Sequence, residues 1–478
     1  MKNIYAIVLT VFCINVFSQK PSFDLQKKFP VSAILQDIDY TEKYLTKFHP
    51  DPYKYISKDS LHAFVLSIKS KIDTPLTEMQ ARFYIKQIVA KIGCGHTDAG
   101  ASKRYTKAIK KISRAALPLN VFVVDSTRLF ILNNLSKDSS IRPGDEIVSI
   151  NNQPPKNILK TIYSVYTTDG YNETYKKQGI KYEWFKYFYS FCYGYHQDYN
   201  VKIKDRSGKI SLHTLTCISS LKDTLILPKK DSVQLTYKTK TCSYYNIKDD
   251  KNIAVIGITG FKGRNWNWFY RKSFKDIKHK KIENLVIDLR DNGGGQISKG
   301  MKFLSYLIDE RITLPFDRKP NLMVFNPRFK MDVFSRLTPF IFTGLFPNWP
   351  VNGRLRHYFI RFPKKHKVYK GNIYVLVNGK SFSMSGVVSS YLKYKANATI
   401  IGEETGGNIA GSNAVISGKI VLPNSKIRVF IPMYHLYHTI NVENKGRGLM
   451  PDYPTHYSKE DVLKAIDVDL NKVKEIVN

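Results

Sequence analysis

The spacing of hydrophobic positions changes twice along the chain and divides it into three regions. Between residues 30 and 112, apolar side chains recur every three or four positions, as at Ile34 and Ile38. This spacing places them on one face of a helix. We therefore expect an N-terminal helical domain over residues 19–112. It closes with a glycine-flanked turn, Gly93-Cys94-Gly95-His96-Thr97.

From about residue 117 the spacing becomes that of strands. Residues 141–153 place a Pro-Gly-Asp turn before an apolar strand and a second, Asn-rich turn. This stretch resembles the central signature of a PDZ domain. We expect a PDZ-like β domain over residues 113–222, with the aromatic segment 171–195 as an insertion and a linker following from residue 223.

The third region alternates strands and helices. Residues 285–289 form a nearly continuous apolar run, as expected of a strand buried on both faces. Similar runs lie at 253–258, 373–377 and 398–401. The alternation predicts an α/β core over residues 223–478. Residues 311–370 are too long for a simple connection and are predicted to form a separate lid or insertion, while 461–477 is predicted to be a terminal helix.

The first eighteen residues have the features of a secretory signal peptide. Lys2 precedes an apolar run from residue 4 to residue 17, and Ser18 suits a cleavage site before Gln19. The run is shorter than the roughly 20 apolar residues that span a membrane. We expect export to the periplasm or cell envelope, or secretion. Export permits disulfides, but the pairing stays open among Cys94, Cys192, Cys217 and Cys242.

Composition describes a globular protein with an unusual charge. The 478 residues are 43% hydrophobic, which excludes a disordered chain. Lys and Arg number 75 against 39 Asp and Glu, a formal net charge of +36. The cations are dispersed and fall in no nucleic-acid-binding motif, so a basic adhesin or nucleic-acid binder would rest on charge alone. We expect no nucleic-acid partner, and a surface that faces the substrate or the envelope.

The segment 378–385, Asn-Gly-Lys-Ser-Phe-Ser-Met-Ser, lies between a predicted strand and a predicted helix. A serine at a helix N-terminus lies beside free N–H groups and the positive end of the helix dipole, which favour developing negative charge. That position suits a nucleophile. Taken alone, the segment fits a simple N-cap serine better.

A second segment raises the case for catalysis. Residues 288–295, Asp-Leu-Arg-Asp-Asn-Gly-Gly-Gly, follow a predicted buried strand, and consecutive glycines let a backbone approach a ligand closely. A phosphate-binding P-loop is excluded because Met301, not Lys, follows Gly300. An oxyanion hole fits better. Its donors would be the amides of Gly293, Gly294, Gly295 and Met384.

Together these motifs resemble the core motifs of the C-terminal processing (tail-specific) serine peptidases. The matching segments are 285–295, 381–385 and 400–407. The resemblance covers nearly the whole mature chain and implies a ClpP/crotonase-like catalytic core behind the helical and PDZ-like domains. It makes Ser383 the nucleophile and assigns the oxyanion hole to the same four amides. It implies no metal or cofactor.

One position departs from the family pattern. Many members use a lysine base after a Gly-Glu-x-Thr run, but here that position is Asn408, and a neutral amide cannot accept the serine proton. The tricorn-like branch of the family uses a histidine and a glutamate instead. The resemblance then implies His96, in the Gly-His-Thr turn, as the base and Glu443 as its partner. Glu403 and Glu404 are rival carboxylates.

The sequence thus predicts an exported serine endopeptidase that cleaves polypeptides by acyl transfer through Ser383, His96 and Glu443. The alternative is an inactive peptide- or lipid-binding protein on the same scaffold, suggested by Asn408 and by the missing glycine in the PDZ-like loop near 117–121. No metal site is predicted, and the oligomeric state is left open.

Overall fold

The computed structural model describes residues 23–110, 115–125, 127–181, 183–219, 233–247, 250–318, 326–332, 349–351, 354–443 and 446–478. They form a mixed α/β multidomain protein, which confirms the predicted fold class. The predicted signal peptide and residues 223–232 of the predicted linker lie outside the described residues. None of the helices in the described part of the chain is long and apolar enough to cross a membrane.

Residues 23–110 form the helical region that the apolar spacing predicts. Its elements are β1 (Lys28–Phe29), α1 (Val31–Phe48), α2 (Lys58–Lys69), β2 (Leu76–Thr77), α3 (Glu78–Lys91), β3 (Asp98–Gly100) and α4 (Lys103–Ile109). Ile34 and Ile38 are fully buried on the inner face of α1. Helix α3 begins at a capping box in which the side chains of Thr77 and Gln80 each accept the other's backbone N–H.

The middle region contains a five-stranded antiparallel sheet in the order β5-β6-β7-β8-β9. Its elements are β4 (Ala115–Ala116), β5 (Leu119–Val124), β6 (Arg128–Asn134), β7 (Glu146–Ile150), α5 (Pro155–Ser164), α6 (Thr174–Gly179), α7 (Glu183–Tyr193), β8 (Asp198–Lys204), β9 (Ile210–Thr216) and β10 (Ile218–Ser219). The aromatic insertion forms α6 and α7, and α7 buries Phe185 and Tyr189 in the core of this sheet. The resemblance to a PDZ domain stays a prediction.

The third region begins with strands that form a mixed sheet around a parallel centre. Its elements up to the long connection are β11 (Val233–Lys238), β12 (Cys242–Ile247), β13 (Asp250–Ile258), α8 (Trp266–His279), β14 (Asn284–Asp288) and α9 (Ile297–Leu304). Leu285, Val286 and Ile287 of β14 are all fully buried, as expected of a central parallel strand.

The remaining elements complete this sheet and build a second one. They are β15 (Ile312–Arg318), β16 (Phe329–Lys330), β17 (Trp349–Val351), β18 (Arg354–Arg361), β19 (Asn372–Val377), α10 (Met384–Ala396), β20 (Thr399–Gly402), β21 (Gly411–Val421), β22 (Arg428–Tyr437), β23 (Tyr453–Pro454), α11 (Lys459–Lys464) and α12 (Val468–Val477). The first sheet runs β11-β12-β13-β14-β19-β20-β23, and the second runs β16-β21-β22-β15-β18-β17.

Two predicted boundaries differ from the structure. Residues 311–370 do not form a separate lid in their described part, because β15 pairs with β22 and β18 pairs with β15 inside the second sheet. The terminal helix is broken at Ala465, which has a φ of 53°. Ser458 caps the first half, α11, by a capping box with Asp461.

Strand β3 joins the helical region to the core. It pairs antiparallel with β22, with Ala99 opposite Val429. The guanidinium Nε of Arg428 also donates to the carbonyl oxygen of Ala101 at 2.7 Å. Because β3 follows the glycine-flanked turn directly, this pairing fixes the position of His96 relative to the core.

Candidate active site

Ser383 lies where β19 leads into α10. It has a φ of 57° and a ψ of −124°, an unusual conformation for a residue other than glycine. Ser383 is the N-cap residue of α10, but its hydroxyl makes no capping hydrogen bond. The N-cap role that fits the segment alone therefore does not describe this serine, whose hydroxyl is directed elsewhere.

The turn that carries Ser383 is held by its neighbours rather than by the serine. The Ser381 hydroxyl donates to the carbonyl oxygen of Leu289 at 2.8 Å and accepts from the N–H of Asn378 at 3.0 Å. The N–H of Phe382 donates to the carbonyl oxygen of Asn292 at 3.0 Å. These bonds connect the carboxyl ends of β14 and β19, the edge at which open α/β sheets place their sites.

The Ser383 hydroxyl meets His96. His96 Nε2 and Ser383 Oγ lie 3.1 Å apart, across 287 positions of the sequence. The His96 ring also stacks on the ring of Phe382, with centroids 4.6 Å apart. An imidazole nitrogen at this distance can accept the proton of an attacking serine.

The glycine run lies directly beside the serine. A Cβ at Gly294 would lie 2.7 Å from Ser383 Cβ and 2.9 Å from the backbone nitrogen of Met384, and Gly294 has a φ of +95°. Only glycine fits such a position. In this structure, however, the Gly294 N–H donates to Asn292 Oδ1 at 2.9 Å. The assignment of Gly293, Gly294, Gly295 and Met384 to an oxyanion hole stays a prediction.

Asn408 stands where the family pattern would place a lysine, and its amide is used in packing. Its Nδ2 donates to the Tyr55 hydroxyl, and its Oδ1 accepts from the N–H of Ala410 at 2.9 Å. Asn408 is 4% exposed. The side chain thus ties the core to the segment after α1 and does no proton transfer.

The structure does not place the proposed carboxylate partners on His96. Glu443 is exposed, whereas His96 Nδ1 is buried and has no hydrogen-bond partner among the described residues. Glu404 binds Arg447 and accepts from the N–H of Gly448 at 2.7 Å. Glu403 accepts from Gln178. The role of Glu443 stays a prediction.

A carboxylate that the sequence motifs did not single out lies beside the histidine turn. Asp169, between α5 and α6, is 3% exposed. Its Oδ1 accepts from the N–H of Gly95 at 2.7 Å. No local signal marks Asp169 as functional, because it lies in a connection between two helices and only the assembled chain brings it to the site.

Burial and charge act in opposite directions on the pKa values of this site. Burial lowers the pKa of His96, and the charge of Asp169 partly opposes that shift. Burial also raises the pKa of Asp169, which His96 and the Gly95 N–H oppose. The Cys94 thiol, two residues before His96, has its pKa raised to about 12 by burial, so it stays neutral and unreactive.

The sequence of this region matches a known family. The model described as Peptidase family S41 matches residues 252–455, a segment that includes β14, the glycine run and Ser383. Residues 252–455 are therefore similar to a peptidase family S41 domain. This match confirms the resemblance of the core to the C-terminal processing serine peptidases and supports a serine-type peptidase. The S41 segment ends before α11, and His96 and Asp169 lie outside it.

Solved structures match the fold over most of the chain. The structure titled "Crystal Structure of mature CPAF" aligns with a TM-score of 0.65 at 16% identity, covering 94% of this chain and 97% of that one. A structure titled "Crystal Structure of cpaf s499a mutant" aligns with a TM-score of 0.67 at the same identity and coverage. At this identity the likeness shows the fold alone.

Two further comparisons leave the finer assignments open. The tricorn protease aligns with a TM-score of 0.40 at 12% identity, too low to compare sites, so the tricorn-like branch stays a prediction. No curated protein sequence matches the chain. The S41 domain therefore rests on the family model and on the fold.

Proposed function

We propose that this protein is an exported serine endopeptidase that cleaves polypeptides by acyl transfer. Ser383 is the nucleophile. His96 is the general base, because position 408, where the family pattern has a lysine, is an asparagine that cannot accept the serine proton. The observation that most directly supports this proposal is the 3.1 Å distance between His96 Nε2 and Ser383 Oγ. The sequence assigns the third position to Glu443.

In the acylation step, Ser383 Oγ attacks the substrate carbonyl carbon while its proton passes to His96 Nε2. The carbon–nitrogen bond then breaks as the imidazolium returns that proton to the leaving amine. In the deacylation step, water attacks the acyl-enzyme carbonyl carbon while His96 accepts its proton, and the second product is released. The positive end of α10 stabilises negative charge beside Ser383, and the chemistry requires no metal or cofactor.

An assay on an unfolded polypeptide tests the mechanism. With purified mature protein and reduced casein, Ser383→Ala and His96→Ala should each lower kcat/KM on the order of 10⁴-fold or more. Ser389→Ala is the matched control, since its hydroxyl donates to the carbonyl oxygens of Ser385 and Gly386 within α10. Wild-type activity in Ser383→Ala would reject the proposal.

Export is tested separately from chemistry. The protein recovered from the periplasmic or envelope fraction should begin at Gln19, which N-terminal sequencing of the purified chain reports. A chain that keeps Met1 and stays with cytoplasmic markers would reject export without bearing on Ser383.

A second candidate function has its own support. Asn408 cannot act as a base, and the Gly294 N–H is already bonded to Asn292, so an inactive peptide- or lipid-binding protein would show this geometry too. A serine-reactive phosphonate distinguishes the two. Covalent labelling that disappears in Ser383→Ala supports the peptidase, and absence of labelling in the wild type supports the binder.

A further inference from the structure

Asp169 is held in place by the backbone of the histidine turn. The N–H of Gly95 donates to its Oδ1 at 2.7 Å, and the backbone amide of Asn408 also faces the carboxylate. Gly95 precedes His96 directly, and Asn408 occupies the position of the missing lysine. The carboxylate therefore lies between the two parts of the chain that the family pattern associates with the base.

The segment around Asp169 is fixed on both sides. The N–H of Gly170 donates to the carbonyl oxygen of Gly93 at 2.9 Å, and the N–H of Tyr171 donates to the carbonyl oxygen of Gly446 at 2.9 Å. A Cβ at Gly170 would lie 2.3 Å from that Gly446 oxygen. The segment 169–171 thus bonds both to the histidine turn and to the loop that follows Glu443.

His96 and Asp169 each have a buried side-chain atom without a hydrogen-bond partner among the described residues. These atoms are His96 Nδ1 and Asp169 Oδ2. A buried polar group left unpaired is destabilising, because it has given up its hydrogen bonds to water without replacing them. One of these atoms can carry a proton and the other can accept a hydrogen bond, and the two side chains interact electrostatically. The two unpaired atoms complement each other.

Few other charges act at this point. Lys54, from the segment after α1, opposes the raised pKa of Asp169, and burial lowers the pKa of that lysine. Cys94 is neutral because its pKa is about 12. Glu443 is exposed and is not among the groups that shift the pKa of His96. Asp169 is the charged group that acts on the imidazole.

We propose that Asp169, rather than Glu443, is the carboxylate that positions His96. Its negative charge favours the tautomer that carries its proton on Nδ1 and leaves Nε2 free for the Ser383 proton, and it stabilises the imidazolium once that proton has moved. In this role the carboxylate takes up no proton itself, so the proton travels between Ser383, His96 and the leaving amine as before. This inference rests on the proposed function.

The test compares Asp169→Asn with Glu443→Gln in the full mature chain. Asp169→Asn should lower kcat on the order of 10⁴-fold, the loss known for the same replacement of an orienting carboxylate in a Ser-His-Asp triad, and should move the acid limb of kcat/KM to lower pH. The direction follows because the lost negative charge no longer favours the imidazolium. Glu443→Gln should leave kcat within about threefold of the wild type, well below the change for a lost transition-state interaction.

A buried aspartate far from this turn controls for a merely structural effect. Asp37 of α1 is fully buried and accepts from the N–H groups of Asn424 and Ser425 at 2.9 Å and 2.8 Å. Asp37→Asn should lower the melting temperature without moving the acid limb. If Asp169→Asn behaves in the same way, its role is structural and the proposal is wrong.

A readout independent of turnover separates this inference from the proposed function. The imidazole of His96 can be titrated by NMR, with the signal assigned by its loss in His96→Gln. Asp169→Asn should lower that pKa, and Glu443→Gln should not. An active Ser383→Ala variant would reject the peptidase mechanism. A dependence of kcat and of the His96 pKa on Glu443 alone would reject the role of Asp169 and keep the mechanism.

Discussion

The two halves of the candidate site are built in different ways. Ser383 is positioned by its own neighbourhood, a parallel strand, a tight turn and a helix, with hydrogen bonds from Ser381 and Phe382 to the adjacent β14 turn. His96 is positioned by assembly, because β3 pairs with β22 and Asp169 comes from the connection between α5 and α6. A local motif can place a nucleophile, but its base depends on contacts between distant parts of the chain.

We call the Ser383 turn the local half and the His96 turn with Asp169 the assembled half, and substitutions should affect them differently. A change in the local half distorts the backbone around Ser383 and abolishes catalysis. A change in the assembled half separates intact parts, so activity falls in proportion to the fraction of molecules in which the parts are apart. Substitutions in the two halves should therefore differ in size and in kind.

Gly294→Ala should have the largest effect, since it acts on the local half. The added Cβ would lie 2.7 Å from Ser383 Cβ, and the φ of +95° is strained for alanine. We expect kcat/KM to fall on the order of 10³-fold with a loss of about 1–3 kcal/mol in unfolding free energy. Casein hydrolysis and urea unfolding measure the two quantities.

Gly293→Ala is the matched control for that variant. A Cβ there would meet no atom within 4 Å, so the fold should tolerate it. Equal losses of stability in the two variants would show that the backbone around Gly294 is not specially constrained. That result would contradict the view that local backbone geometry positions Ser383.

Arg428→Ala should act more weakly, because it loosens the assembled half. Arg428 donates to the carbonyl oxygen of Ala101 at 2.7 Å and to the Thr106 hydroxyl at 3.3 Å. Losing charge-assisted bonds of this type costs roughly 1.5–3 kcal/mol. If part of that energy holds β3 on β22, we expect kcat to fall about tenfold while KM stays near its wild-type value.

Arg104→Ala on the exposed face of α4 is the control for that substitution. The sharper readout is hydrogen exchange, in which the amides of β3 should lose protection in Arg428→Ala while those of β14 keep theirs. Equal loss in both strands would mean that the variant unfolds globally, and the assembled half would not be a separate unit.

The same division explains what could be read from the sequence. The run 285–289 and the segment 378–385 predict β14 and the strand–turn–helix at Ser383, because each depends on spacing within a few residues. The His96 turn was recognised as a motif, but its 3.1 Å approach to Ser383 depends on the pairing of β3 with β22. No spacing in one sequence reports such a pairing.

Two features of the structure could not be predicted from the sequence, for the same reason. The sequence predicts residues 311–370 to be a separate insertion, yet β15 and β18 belong to the second sheet, where β15 pairs with β22 from the later part of the chain. Asp169 carries no signal in the sequence, because a lone aspartate in the connection between α5 and α6 acquires its environment only from the turn at Gly95 and the amide of Asn408.

The wild-type pH profile gives the smallest expected effect and tests the assembled half without a mutation. His96 must be neutral to accept the Ser383 proton, and burial lowers its pKa below the usual value near 6.5, with Asp169 in partial opposition. The acid limb of kcat/KM should therefore lie below about pH 6.5, because a lower pKa keeps the imidazole neutral into more acidic solution. Initial rates on casein between pH 4 and 8, at constant ionic strength, measure it. A limb at the ordinary value near pH 6.5 would mean that His96 is more solvated during turnover than in this structure, and thus that the assembled half opens when substrate binds.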